Sequence, residues 1–116
     1  MGTLTKAQRI NTDGVKLHTR GPVEVSTFTV TLAPRGFTGW HQHPGLLLAT
    51  VQAGAVVRQV GCRSRKYRVG ETFTEHGRER TGQVTNPSTT ETASFSVTQI
   101  APPGTPRRHE TAPPEC

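Results

Sequence analysis

The residues whose types and spacing could do chemistry concentrate in Gly39-Trp40-His41-Gln42-His43-Pro44-Gly45. In an extended segment side chains i and i+2 share a face, so His41 and His43 project together and Gln42 projects the other way. Two neutral imidazoles on one face can share a metal ion, and imidazole suits iron, zinc, copper, nickel and manganese in differing degrees. A solvent-facing pair of histidines has the same spacing, so the surrounding chain has to decide. Trp40 reads either as a packing group at a rim or as a flat surface on which a ligand stacks.

The elements that must position this segment read as strands. From Val23 to Leu32 the sequence alternates with a period of two, placing Phe28, Val30 and Leu32 on one face, and Ala33-Pro34-Arg35-Gly36 ends it with turn chemistry. After Pro44-Gly45 the apolar run Leu46 to Val51 reads as a buried strand. Gly54 marks a hairpin into Ala55-Val60, and Gly61 opens a basic loop ahead of a short strand at Tyr67-Val69. Further strands are expected at Glu71-Glu75, Gln83-Thr85 and Ala93-Ile100. Phe28, Leu46, Leu48, Val51, Phe73, Val84, Phe95 and Val97 are the core candidates. No segment has convincing helical periodicity. Seven or eight short strands in one chain of 116 residues predict a single all-β sandwich or barrel, and a barrel mouth is a usual place for a small ligand. Residues 1–20 are expected to be a polar N-terminal arm with one short strand near Val15-Leu17, 21–101 the barrel, and 102–116 a proline-rich C-terminal tail, since proline lacks the ladder donor.

Gly39 to Gly45, then Gly54, Gly70-Glu71-Thr72-Phe73 and Asn86, resemble the two signature motifs of the cupin superfamily. Leu32-Ala33-Pro34, Cys62, Arg68 to Phe73 and Ala101 to Gly104 extend the likeness to small single-domain, actinobacterial-type cupins over roughly residues 20–104. The resemblance implies a cupin-like barrel, a jelly roll or double-stranded β-helix. It also implies one divalent metal ion (Fe, Mn, Ni or Zn) held by the His-x-His pair, a motif-one glutamate and a motif-two histidine. Here the motif spacing puts Leu47 where the glutamate belongs and Gly82 where the histidine belongs, so two of four family ligands remain. Catalytic metal sites normally carry three protein ligands and a water. Glu75 and His76, at the start of motif two, are the replacement donors to look for; the bland alternative pairs Glu75 with Arg78 or Arg80 and leaves His76 in a loop. Leu47 makes the pocket more apolar, and with Trp40, Gln52 and Phe73 completes the expected ligand-binding set.

Composition bounds the rest. The formal charge is +6, but the arginines are scattered without helical periodicity or interleaved aromatics, which argues for a solvated surface against a nucleic-acid face; the cluster from Arg63 to Arg68 is the exception that could attract an anionic partner. No stretch nears the roughly 20 apolar residues that span a bilayer and the first residues lack a signal-peptide run, so a cytoplasmic protein without membrane contact is expected. Cys62 and Cys116 either stay thiols in a reducing cytosol or tie the tail to the Cys62 loop in an oxidising compartment. A homodimer through exposed sheet edges is the expected assembly. Two functions compete. One is metal-dependent oxygenase or isomerase-type chemistry on a small organic molecule, with catalytic residues unassigned. The other is a non-catalytic ligand-binding or sensing module, metal-free because Leu47 and Gly82 replace the usual ligands.

Overall fold

The computed structural model describes residues 1–77 and 79–116. Every regular element among them is a strand: β1 (Gly2–Leu4), β2 (Arg9–Thr12), β3 (Val15–His18), β4 (Val23–Leu32), β5 (His41–Gln42), β6 (Leu46–Ala53), β7 (Ala55–Val60), β8 (Arg63–Arg68), β9 (Thr72–His76), β10 (Gly82–Thr85), β11 (Ala93–Ala101) and β12 (His109–Glu110). They form two five-stranded sheets, ordered β1-β4-β11-β6-β9 and β12-β5-β10-β7-β8, with β2-β3 as a separate hairpin. All pairings are antiparallel.

The inner faces meet over a core that includes Leu47, Ala49, Val51, Val56, Tyr67, Phe73, Val84, Phe95 and Val97. Phe73 is its centre, tilted against Tyr67 at 5.0 Å and Phe95 at 5.8 Å between ring centroids. Burying each such side chain contributes about 1.5–3 kcal/mol. Asn86 is buried beside this core. Its Nδ2 donates to the carbonyls of Leu32, Ala33 and Glu91 and its Oδ1 accepts from Ser88 N, which fixes the turn between β10 and β11 to the end of β4.

Three expectations need correction. Leu46 and Leu48 point outward, 37% and 40% exposed, whereas Leu47, Ala49 and Val51 point in. β6 has one face on the core and the other in solvent, and an unbroken apolar run conceals which. The presumed basic loop is edge strand β8, where only Tyr67 is buried; its charged side chains occupy the edge, a placement that discourages pairing with another sheet. The first twenty residues hold three strands, of which β1 adds to β4 through Gly2↔Val25 to Leu4↔Val23.

The chain beyond Ala101 returns to the barrel. Residues 102–108 form no ladder, but β12 pairs with β5 through His109↔Gln42 and Glu110↔His41. Thr111 N donates to Trp40 O, the Thr81 and Thr111 hydroxyls are hydrogen-bonded, and Cys116 is disulfide-bonded to Cys62, with Cα atoms 5.7 Å apart. Of the two cysteine states left open by the sequence, this is the bridged one, which belongs to oxidising compartments. Among the described residues no helix is long and apolar enough to cross a membrane.

Candidate metal centre

His41 sits on β5 and His43 just past its end, where Pro44-Gly45 turns the chain into β6. Gly45 has a φ of +74°, and a Cβ there would collide with the Ile100 carbonyl; only glycine lets the chain turn this close to β11. The alternation expected of His41-Gln42-His43 is realised. Both imidazoles are buried, 5% and 8% exposed, with rings nearly perpendicular at 4.6 Å. Gln42 points away and donates to Glu79 O.

Each imidazole is held from behind. His41 Nδ1 lies 2.7 Å from Gly39 O, and His43 Nδ1 lies 2.7 Å from Arg107 O. A carbonyl oxygen only accepts, so each Nδ1 carries a proton, and in the neutral ring each Nε2 then has a lone pair. Both Nε2 atoms face Glu75, whose Oε2 is 3.9 Å from His41 and 3.2 Å from His43. Three acceptors turned on one another repel unless a cation lies among them, either a proton on one imidazole or a metal ion. Burial is the main influence on His41 and lowers its pKa below the usual 6.5; the Gly39 carbonyl opposes this, the nearby positive charge of Arg108 reinforces it, and smaller charge effects come from His43 and Glu75. A proton is therefore poorly held at His41. A divalent ion fits: one donor atom from each of His41, His43 and Glu75 lies within 4.8 Å of the others, and imidazoles anchored through the second nitrogen are the usual supporting arrangement for metal-bound histidine.

Glu75 reaches the site from β9. There it stands directly across from Leu47 on β6, so the carboxylate missing from position 47 is supplied one strand away on the same inner face. Arg58 orients it. The Arg58 Nε lies 3.5 Å from Glu75 Oε1, its Nη2 donates to Glu79 Oε1 at 2.9 Å, and its guanidinium lies 5.4 Å from the Phe73 ring centroid. Glu75 thus turns one oxygen to the arginine and the other to the histidines.

The remaining expected site residues are not brought together with these. His76 follows Glu75 on β9, pairs with Leu46 and is exposed, since alternation sends it to the other face; it is not among the metal-competent group. Leu47 does line the cavity before the site. Phe73 lies in the core beneath Arg58, away from that wall, while Gln52 is exposed on β6 and Trp40 is half-buried beside the returning chain. Gly82 pairs with His41 and lies where its missing side chain admits the Gln59 carbonyl. Arg78, offered as a partner for Glu75, lies outside the described residues. Arg58, Arg107 and Arg108 were not anticipated. Arg58 is in phase with buried Val56, a charged residue on a core-facing position, and that phase was the available signal.

No family model matches the sequence, and no curated protein matches it. Solved structures do. An oxalate oxidase in complex with the substrate analogue glycolate is 26% identical with a TM-score of 0.58, covering 67% of this chain and 42% of its own. A cupin domain from Bordetella pertussis is 20% identical (TM-score 0.55, covering 85% of this chain and 93% of its own), and a predicted oxalate decarboxylase from Thermotoga maritima is 16% identical (TM-score 0.57, 87% and 98%). This chain spans less than half the length of that oxalate oxidase. The paired antiparallel sheets and the inward histidine pair, together with these likenesses, define a cupin barrel. The chain belongs to the cupin superfamily.

Proposed function

We propose that this protein is a metal-dependent cupin that holds one divalent first-row ion (Fe, Mn, Ni or Zn) at His41, His43 and Glu75 and accepts a small organic ligand in the adjoining cavity. The observation that carries the reading is the convergence of two Nδ1-anchored imidazoles and one carboxylate on a common point. Two histidines and a carboxylate leave coordination positions open, the donor set of many oxygenase and hydrolytic centres. The cavity of about 380 Å3 abuts all three donors and is otherwise walled mainly by apolar side chains, a size and character suited to small-molecule binding. A bound metal would act as a Lewis acid on a ligand carbonyl or enol, or bind dioxygen for oxygenase-type chemistry. The chain's own part is to orient the ligand, exclude water with Leu47, Val84 and Val97, and hold the Glu75 carboxylate in place beside Arg58.

A second reading, a metal-free ligand-binding or sensing module, is favoured by two observations: Arg58 already pairs with Glu75, and Leu47 gives no further donor. Titration of zinc and manganese into untagged protein separates the two. One ion per chain, lost in His41→Ala/His43→Ala, supports the metal-dependent reading; no binding, or binding unchanged in the variant, leaves the metal-free module.

A further inference from the structure

The cavity before the metal centre has a charged rim as well as a metal-competent floor. Phe28, Val30, Leu47, Phe95 and Val97 form its apolar wall, and Arg107 and Arg108 contribute from the returning C-terminal segment. The two arginines differ. Arg108 is engaged, with its guanidinium on Glu110 and on the Thr38 carbonyl. Arg107 has no carboxylate partner among the described residues, and its guanidinium lies 4.9 Å from the centroid of Phe28.

The backbone of Arg107 is pinned beneath that side chain. Its carbonyl accepts from His43 Nδ1 at 2.7 Å and from Gln99 Nε2 at 2.9 Å. The exposed side chain therefore leaves a fixed backbone, and its guanidinium rests against the Phe28 ring; a donor group positioned in advance loses less freedom on binding. Elsewhere around the cavity, Glu75 is matched by Arg58 and Glu110 by Arg108. Arg107 leaves the rim with one unmatched positive charge, and a divalent ion on the floor adds to the surplus. The guanidinium fork suits a carboxylate, whereas the wall offers a polar dianion little beyond the floor and rim.

We propose that the cavity takes an organic acid with one carboxylate and an apolar aryl or alkyl body, the carboxylate meeting the Arg107 guanidinium and the body lying against Phe28, Val30 and Val97. This rests on the reading of the cavity as a ligand site and names the class of ligand, but it does not require the metal.

The test uses the 116-residue, disulfide-bonded chain, with and without zinc, and calorimetric titration of 3-phenylpropanoate, 3-phenylpropanamide and oxalate. The acid is expected to bind at least tenfold more tightly than the amide of the same shape. Arg107→Gln should lower the affinity for the acid at least tenfold and reduce the acid-to-amide preference to about twofold, and Arg107→Lys should restore part of that preference. Equal binding of acid and amide, absence of binding by both, or an unchanged preference in Arg107→Gln would overturn the proposal. Oxalate binding more tightly than the aryl acid would overturn the apolar body. Zinc titration of the wild-type protein separates the two readings: a persistent acid preference without zinc binding sinks the metal centre alone, and zinc binding without the preference sinks this proposal alone.

Discussion

Removal of the Cys62–Cys116 bridge should weaken both the fold and the metal centre. The bridge joins residues 54 apart in sequence, and closing a loop of that length in the unfolded chain corresponds to about 4 kcal/mol by the chain-entropy relation. Against a typical stability of roughly 5–15 kcal/mol, Cys62→Ser/Cys116→Ser should lose a large share, seen in urea titration as a lower midpoint and in calorimetry as a melting temperature lowered by on the order of 10 °C. The effect should reach the site. The tethered segment carries β12 against β5, places Thr111 N on Trp40 O and holds His43 Nδ1 through the Arg107 carbonyl. Loss of such a supporting contact commonly costs about 10–100-fold in metal affinity, so zinc should bind at least tenfold more weakly to the folded variant. An unchanged urea midpoint would refute the stability argument. A lowered midpoint with zinc affinity within twofold of wild type would refute the coupling of the C-terminal segment to the site.

Other substitutions and conditions have definite expected outcomes. Phe73→Ala, which empties the centre of the aromatic cluster, should cost about 3–5 kcal/mol in chemical denaturation; a loss below 1 kcal/mol would contradict the placement of the core. In the metal-free protein, His41 has a folded pKa below its ordinary 6.5, so below about pH 6.5 the unfolded chain binds a proton that the folded chain refuses. This group's contribution to stability should be fully present above that pH and decline as the pH falls through the folded pKa. Denaturation at pH 7.5 and 5.5 should show the decline, and His41→Asn should flatten it. Leu47→Glu places a second carboxylate across from Glu75, so it should destabilise the metal-free protein and enlarge the zinc-induced rise in melting temperature relative to wild type. A smaller rise would place position 47 outside the site.

Much of this arrangement was legible because strands impose a period of two. That period put His41 and His43 on one face and set Phe28, Val30, Phe95 and Val97 toward the interior, as the structure has them. Where the period is masked, the sequence is silent. Leu46 to Leu48 are all apolar, so their phase emerges only when β6 pairs with β9 and β11. The same phase separates Glu75 from His76, two adjacent donors between which motif spacing does not choose. The charges of Arg63, Arg65 and Lys66 hide an edge strand because both of its faces are largely wet. β12 is two residues long, and its position depends on a bridge and cross-chain hydrogen bonds with no local pattern. Arg107 and Arg108 are likewise silent, since they join the cavity only because the chain folds back.

The central claim is that His41, His43 and Glu75 share one divalent ion. Its most direct test is a crystal of the zinc-loaded protein measured across the zinc absorption edge. One anomalous peak per chain is expected at about 2.0–2.2 Å from both Nε2 atoms and a Glu75 carboxylate oxygen, absent in Glu75→Gln/His43→Ala. No peak among these three side chains in zinc-saturated crystals, with His43 instead in direct ion contact with Glu75, would contradict it.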